Sequence, residues 1–573
     1  MNRKRFVKLL SVQTGAIAAF SLSGFPEIYS PQTKKHVLSG SAAELNADVV
    51  ISGGGLGGCA AALAALRNGS TVILTEETDW IGGQLTQQGV PPDEHQWIET
   101  HGATRLYREF RTSIRDYYRS RYALTESARG EKFLNPGNGS VSALCHEPRV
   151  ALAVLLEMFS PYMSSGKLKL LTDYKIDSAE VTGNKIRSLT AVNQLTGRII
   201  GLSASYFIDA TELGDLLPLT GTKFVTGTES QKETGELHAP EKANPENNQA
   251  FTFCFAIDYL PGENHVIEKP EAYDFWRNFK PDLKPGWPGK LLDLHYSNPS
   301  THASKELAFN PEGLDTSPLL NLWNYRRIID KSNFKSGTFP SDISIVNWPQ
   351  NDYITGNLIG AGPDEFKKNI TAAKQLSLSL LYWLQTEAPH SGKESGWPGL
   401  RLRKDILGTD DGLAKHPYIR ESRRIKALFT ILEEHVGKEN RALITGKKIE
   451  NSPADFFDSV GIGYYHIDLH PTCGGNNYID FDSLPFQIPL GALIPEQTEN
   501  LIAANKNIGT THLTNGCYRL HPVEWNIGES AGSLAAFSIA KKVTPAMIRE
   551  KKNLLADFQN LIRSQGIETS WPA

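Results

Sequence analysis

Short apolar runs bounded by glycines alternate with amphipathic stretches along this chain. Asp48-Val49-Val50-Ile51-Ser52 leads into glycines at 53–55 and at 57 and 58, and small apolar residues follow from Cys59 to Leu66. An apolar run of strand length, a glycine turn and a small-residue run predict a buried strand, a tight turn and a closely packed helix. Thr71-Val72-Ile73-Leu74-Thr75 repeats the strand pattern and ends on Glu76. Residues 102–125 predict a helix whose many arginines, interleaved with Glu109 and Asp116, read as a solvated face. Glu147 to Phe159 reads as an amphipathic helix and Lys167 to Leu171 as a strand. Ile176 to Arg198 alternates, with turn signals at Gly183-Asn184 and Thr196-Gly197, which predicts an antiparallel meander. Ser205 to Ile208 is a further strand.

The pattern changes after about 225. Residues 225–250 are polar, Phe251 to Ile257 reads as a strand, and 258–315 are rich in prolines and aromatics. Ala372 to Gln385 and Arg423 to His435 read as amphipathic helices. The strand-and-small-helix grammar returns at Asn500 to Asn505 and at Trp525 to Lys541, a helix carrying Gly528, Ser530, Ala531 and Gly532. The whole predicts an α/β fold: a parallel sheet with a β-meander crossover, built from discontinuous segments, with an α+β region inserted.

The glycine turn carries chemistry. Gly53, Gly55 and Gly58 occupy the three positions of G-x-G-x-x-G, with Leu56 and Gly57 between. The first permits the turn, the second lets a pyrophosphate approach the backbone, and the third lets the helix pack on the sheet. The helix offers its unpaired N–H groups and positive dipole end to phosphate. Glu76 lies where an acid that binds ribose belongs. Strand, turn, helix and acid together predict a Rossmann-like dinucleotide site.

Composition narrows the class. The 573 residues are 40% hydrophobic and 21% charged, with a formal net charge of -4, which gives no reason to expect a nucleic-acid partner. The five cysteines form no zinc spacing and no disulfide framework, and no metal is expected. No apolar run reaches the length of a membrane span. Arg3-Lys4-Arg5-Phe6-Val7-Lys8 precedes an apolar stretch to Phe25, the pattern of an export signal, with Arg3-Lys4 standing where a twin-arginine signal has its pair. The expectation is a periplasmic or extracellular protein.

These segments together resemble the FAD-dependent oxidoreductase family of the glutathione-reductase-like superfamily, and within it the secreted bacterial, xanthan-lyase-like branch. Ile81-Gly82-Gly83-Gln84 is similar to the family's segment beside the flavin ring. Ile208-Asp209-Ala210-Thr211-Glu212-Leu213-Gly214-Asp215 is similar to its "IDATGDGD" motif, with Glu212-Leu213 in place of Gly-Asp. Residues 418–424 resemble its "RESRR" signature, and Ile467-Asp468-Leu469-His470 its "IDxH" signature. Ala503-Ala504-Asn505-Lys506-Asn507 departs from its "AGR" pattern.

The resemblance implies FAD as cofactor, contacted by Gly53, Gly55, Leu56, Gly57, Gly58, Glu76, Gly82, Gly83, Gln84, Ala210, Thr211, Asp215, Asn505, Gly528, Ser530, Ala531 and Gly532. It divides the chain into an export signal and linker (1–45), a first FAD-binding part (46–225), an inserted substrate domain (226–484), a second FAD-binding part (485–545) and a helical tail (546–573).

Dehydrogenation by hydride transfer needs a base for the second proton, and histidine suits that role near neutral pH. His470 and His521 are the candidates. Arg519 would hold an anionic intermediate or the flavin edge. His466, Asp468 and His470 alternate and would share one strand face. The helix starting near Asn526 would aim its N-terminus at the flavin. Aromatic and amide residues at 323–327 and 347–353 suit a carbohydrate-like ligand. The expected activity is oxidation of a small polar substrate, with electrons passed to an unidentified acceptor. A lyase-type protein acting on polysaccharide, or a non-catalytic FAD-binding protein, stands as the alternative.

Overall fold

The structure is a computed structural model that describes residues 43–313, 315–390, 395–446 and 453–572. The signal-like segment at Arg3 to Phe25 lies outside the described residues.

A seven-stranded sheet organises the molecule. Its strands are β1 (Ala43–Ser52), β2 (Val72–Thr75), β3 (Leu168–Leu171), β4 (Tyr174–Thr182), β5 (Lys185–Asn193), β6 (Ile199–Asp209) and a late strand from residues 501–503. Along the sheet the order is β3-β2-β1-β6-β5-β4, with β3, β2, β1 and β6 parallel and the β4-β5-β6 meander antiparallel. On its edge away from β1, the long strand β6 serves two partners. Its first half pairs with β5, and Phe207 to Asp209 pair in parallel with Leu501 to Ala503. Strand β1 begins five residues before the run that starts at Asp48, because Ala43 to Ala47 pair with Ile200 to Ala204.

Helix α1 (Leu56–Arg67) follows the glycine turn and is buried from Leu56 to Leu66. Helix α2 (Arg105–Arg121) is capped by the Thr104 hydroxyl, which accepts the Tyr107 N–H. Its arginines are not all solvated. Arg111 and Arg115 are buried, Arg111 against Glu94 and Glu99 and Arg115 against Glu99. The two acids that neutralise them come from the preceding loop, outside any helical spacing. Helix α3 (Pro148–Ser164) leads into β3.

The inserted region contains a four-stranded antiparallel sheet. Strands β7 (Phe255–Tyr259), β8 (Arg327–Ile329), β9 (Ile343–Val346) and β10 (Leu400–Leu402) lie in the order β8-β9-β7-β10. Helix α4 (Pro363–Thr386) extends the expected helix at 372–385 in both directions. The expected helix over 423–435 does not form. Its backbone N–H groups instead reach distant carbonyls: Ile425 to Asn507, Leu428 to Ile494 and Ile431 to Gly509. Only Glu433–Val436 is helical. Interstrand partners outcompete the helical period.

The chain then forms β11 (Ser459–Gly463), β12 (Ile467–Leu469), β13 (Ile479–Phe481) and β14 (Phe486–Pro489), with β11 paired to β14 and β12 to β13. Strand β15 (Leu501–Ala503) rejoins the main sheet. Helices α5 (His512–Tyr518) and α6 (His521–Lys541) follow, and the tail adds the helices Pro545–Glu550 and Lys552–Ser564.

Helix α6 crosses α1 at backbone distance. A Cβ on Gly528 would lie 2.0 Å from the Gly57 carbonyl oxygen, and one on Gly532 would lie 2.0 Å from that of Ala61. Two glycines four apart on one helix thus meet residues four apart on the other, and no side chain fits between them. This crossing locks the late segment of the chain onto the glycine turn.

Candidate active site

The parallel strands end in register. Ser52, Thr75, Asp209 and Ala503 are the last residues of β1, β2, β6 and β15. The segments beyond them are tied together by Gly53 N–H to Thr75 O, Ala210 N–H to Ser52 O, and Ala504 N–H to Asp209 O, at 3.1, 2.8 and 2.9 Å. Three stretches of chain hundreds of residues apart therefore converge at one carboxyl edge, where ligands of α/β sheets bind. Gly53 has φ +94°, and a Cβ there would lie 2.3 Å from Ala210 O, so only glycine fits.

Glu76 closes this edge. Its carboxylate accepts the Gly54 N–H at 2.9 Å and the Thr78 N–H at 2.9 Å. Burial and the neighbouring Glu77 push the Glu76 carboxyl up to about 7. Lys175 and His416 hold Glu77 below the usual carboxylate range against its burial. Gly53, Gly55, Glu76, Ala210, Thr211 and Asp215 line one small cavity together with Glu77, Lys175, Glu212 and His416. Asn505 joins the group by donating to Ala210 O at 3.1 Å.

The N-terminus of α1 meets two carboxylates. Glu524, on the first turn of α6, accepts the Gly57 N–H at 3.1 Å. Glu212 lies over Gly55 and Gly83, its Oε1 being 2.7 Å and 3.3 Å from where their Cβ atoms would stand. Between them the buried Lys506 ammonium donates to Glu212 Oε2 at 2.5 Å and approaches Glu524 Oε2 at 3.5 Å.

From the glycine turn a loop runs to a second cavity. Gly82 N–H donates to Gly54 O at 2.7 Å, and the next residues turn with φ +111° at Gly82 and +57° at Gly83. Gln84 Nε2 donates to Arg519 O at 3.0 Å. The loop ends at Asp93, whose N–H donates to Nδ1 of His521 at 3.0 Å. Several buried polar atoms along this path have no partner among the described residues: Gln84 Oε1, both amide atoms of Gln88 and Arg519 Nε. Buried polar atoms are normally satisfied, so such a row marks the course of a ligand.

The second cavity, of about 220 Å³, lies between the residues that precede β8 and follow β9 (Tyr325, Arg326, Asn347, Trp348) and the β12–β13 hairpin. Tyr296, Tyr325, Tyr465, Tyr478 and Trp348 give it rings, and Arg326, Arg420 and Arg519 give it charge. Each arginine is matched by an aspartate: Arg326 by Asp93 at 3.3 Å, Arg420 by Asp352 at 2.8 Å and Arg519 by Asp468 at 3.1 Å. The cavity is therefore polar without a net positive field. His466, Asp468 and His470 all line it, as their alternation predicts. His466 Nδ1 is bonded to Asp480 at 2.6 Å and His470 Nδ1 to Asp352 at 2.6 Å. Asp352 is buried, yet the Arg420 charge and the hydrogen bonds from His470 and Thr252 hold its carboxyl down at about 2. It stays ionised and fixes the His470 ring, whose Nε2 lies 3.8 Å from Asp468.

His470 and Arg519 thus share one cavity. His521 sits deeper, at the start of α6. Burial pushes its ring down to about 4. With Nδ1 accepting from Asp93, the ring proton is on Nε2, so His521 is set as a donor and not as the base. Helix α6 starts at His521, and Asn526 lies in its second turn, where its Oδ1 accepts the Ile462 N–H. Gly528 and Gly532 serve the crossing with α1, and Ser530 donates to Val460 O at 2.7 Å, so these residues and the buried Ala531 face protein. Arg420 and Arg424 share no helix face: Arg424 is buried on Glu229 and Glu421. Asp93 and Glu524 belong to no stretch singled out in the sequence, and Arg326, Asp352 and Lys506 fall inside such stretches without their ion pairs being readable there. Their partners lie too far away in sequence for spacing to reveal them.

A glycine turn, an acid at the end of β2 and a loop of unpartnered polar atoms leading to a second cavity define a dinucleotide-dependent α/β enzyme. More narrowly, the chain belongs to the FAD-dependent oxidoreductase family, whose sequence model, described as FAD dependent oxidoreductase, matches residues 48–562. FAD is its cofactor, and the residues just described fit it. No curated protein matches the chain. Among solved structures it is similar to the L-proline dehydrogenase from P. horikoshii, at 16% identity over 34% of this chain and 26% of that one, with a TM-score of 0.18. It is similar to the Bacillus halodurans glycerol-3-phosphate dehydrogenase at 15% identity over 37% of this chain and 40% of that one, with a TM-score of 0.21. The chain thus spans less than half the length of either protein. The E. coli quinol fumarate reductase FrdA aligns over 91% of this chain and 74% of its own, at 12% identity and a TM-score of 0.31.

Proposed function

We propose that this enzyme dehydrogenates a small, hydroxyl-rich substrate of carbohydrate-like chemistry, with His470 as the base. The observation that carries the reading is the Asp352–His470 pair in a ring-lined cavity at the end of the loop from the glycine turn. FAD, when bound, supplies the hydride acceptor. His470 takes the substrate hydroxyl proton on Nε2, and Asp352 holds the opposite nitrogen and stabilises the imidazolium that results. Arg519 keeps Asp468 and the Tyr418 hydroxyl in position, the latter at 2.7 Å. Tyrosine and tryptophan rings offer faces for a sugar-like ring, and the aspartates accept from its hydroxyls. The matched arginine–aspartate pairs argue against a site built around a single anionic group.

Export to the periplasm or cell surface belongs to the same proposal and is supported by the Arg3–Lys8 segment and the apolar run after it. Anaerobic addition of sugars, alcohols, amines and amino acids to the holoenzyme tests the reading: a hydroxyl donor should bleach the flavin band. Bleaching by dithionite but by no organic donor would overturn it.

A further inference from the structure

The cradle in front of α1 already contains an anion of the protein's own. Glu212 stands where the resembling motif has glycine, and its Oε1 lies within contact of the Gly55 and Gly83 backbone. That oxygen is buried and has no hydrogen-bond partner among the described residues. The Glu212 side chain is 10% exposed, so water does not make good the loss. An unsatisfied carboxylate oxygen in a dry site is costly unless something else favours its position. Two things do. The N-terminal end of α1 attracts negative charge, and the Lys506 ammonium holds the other oxygen. Lys506 is itself 1% exposed and rests also on Asn505 Oδ1 at 3.1 Å. These same features, a helix N-terminus, bare glycine backbone and a buried cation, are what a diphosphate requires.

We propose that Glu212 is a built-in occupant of the diphosphate cradle, and that Lys506 exchanges Glu212 for phosphate when the cofactor binds. One place cannot hold both anions. Glu212 must swing off Gly55 and Gly83, leaving Lys506 and the bare glycine backbone clear for phosphate oxygens. The neighbouring Glu524 stays on Gly57 N–H and keeps Lys506 from being left alone. The chain without cofactor is then held closed by an internal ligand, and the intrinsic affinity for FAD is reduced by the share of molecules in that closed form. The device acts on any ligand with an adenosine diphosphate moiety, whatever lies beyond it.

The test is titration of FAD and of ADP into the flavin-free full-length chain, with melting temperatures measured with and without FAD. Glu212→Gln is expected to tighten both ligands about tenfold or more, because the amide competes poorly for the helix end. It should lower the melting temperature of the flavin-free chain while leaving that of the holoenzyme unchanged. Glu212→Asp, which keeps the charge one methylene short of the turn, should fall between. Lys506→Met should weaken both ligands at least tenfold. Unchanged or weaker FAD binding in Glu212→Gln, a gain for FAD without one for ADP, or equal loss of melting temperature in both forms would overturn the proposal.

Discussion

Asp352 and His470 lie 118 positions apart in the sequence, yet His470 Nδ1–H donates to Asp352 Oδ2 at 2.6 Å. Asp352 is tied down on its other oxygen by Arg420 at 2.8 Å and by the Thr252 hydroxyl at 2.6 Å. The imidazole is thereby held in the tautomer that leaves Nε2 free toward the cavity. Asp352→Asn keeps the shape but permits the opposite tautomer. Flavin reduction by substrate should slow by roughly 10²- to 10⁴-fold with FAD content unchanged, as stopped-flow bleaching and the flavin-to-protein ratio would report.

The crossing of α1 and α6 has no room for a methyl group. Gly528→Ala would drive a Cβ to 2.0 Å from Gly57 O. The helices must separate, and the glycine turn moves with them. The expected loss is about 1–3 kcal/mol in denaturant unfolding, with weakened FAD retention. A variant as stable as the parent would show that the crossing is looser than described.

The first part of the sheet was legible because β1, β2 and β3 carry short apolar runs and β4 and β5 alternate between turn signals. Gly183, Gly197 and Gly214 have positive φ at the turns, and Gly53 fits where only glycine can. The glycine-rich late helix was legible as a close-packing helix, but its sequence does not say which surface it packs on, and that surface is α1. The region around 423–435 misled because its apolar spacing fits a helix while its backbone bonds to three remote segments. The place of His470 on the cavity wall was legible through local alternation. Its partner Asp352 was not, since a contact between the inserted region and a later hairpin leaves no periodic trace.

Buried ion pairs on α2 were hidden for the same reason. Arg111 is 3% exposed and meets Glu94, itself 1% exposed, at 2.8 Å. Arg111→Met would strand Glu94 beside the loop that carries Asp93. The variant should be destabilised by roughly 3–5 kcal/mol, which thermal or urea unfolding would register. A change within error would mean that the pair is solvated.

The raised carboxyl of Glu76 predicts a pH dependence of the flavin-free chain. Its folded value is about 7, against an ordinary value of 4.5. Between those values the folded state binds more protons than the unfolded one, so stability falls as pH rises. The contribution is fully present below about 4.5 and is lost as pH passes through about 7, amounting to roughly 3 kcal/mol at most. Asp209 and Glu236, also raised to about 7, act in the same direction. Unfolding measured from pH 4.5 to 8 should show this slope, and Glu76→Gln should flatten part of it.

In the proposed reaction His470 takes a proton from a hydroxyl substrate in the cavity at the end of the glycine-turn loop. The most direct measurement is the anaerobic rate of flavin bleaching by the best hydroxyl donor, compared between the parent and His470→Asn at equal FAD occupancy. A fall of roughly 10²-fold or more in the variant, with dithionite still reducing both forms at one rate, is the expected result. Equal bleaching rates with the organic donor would contradict it.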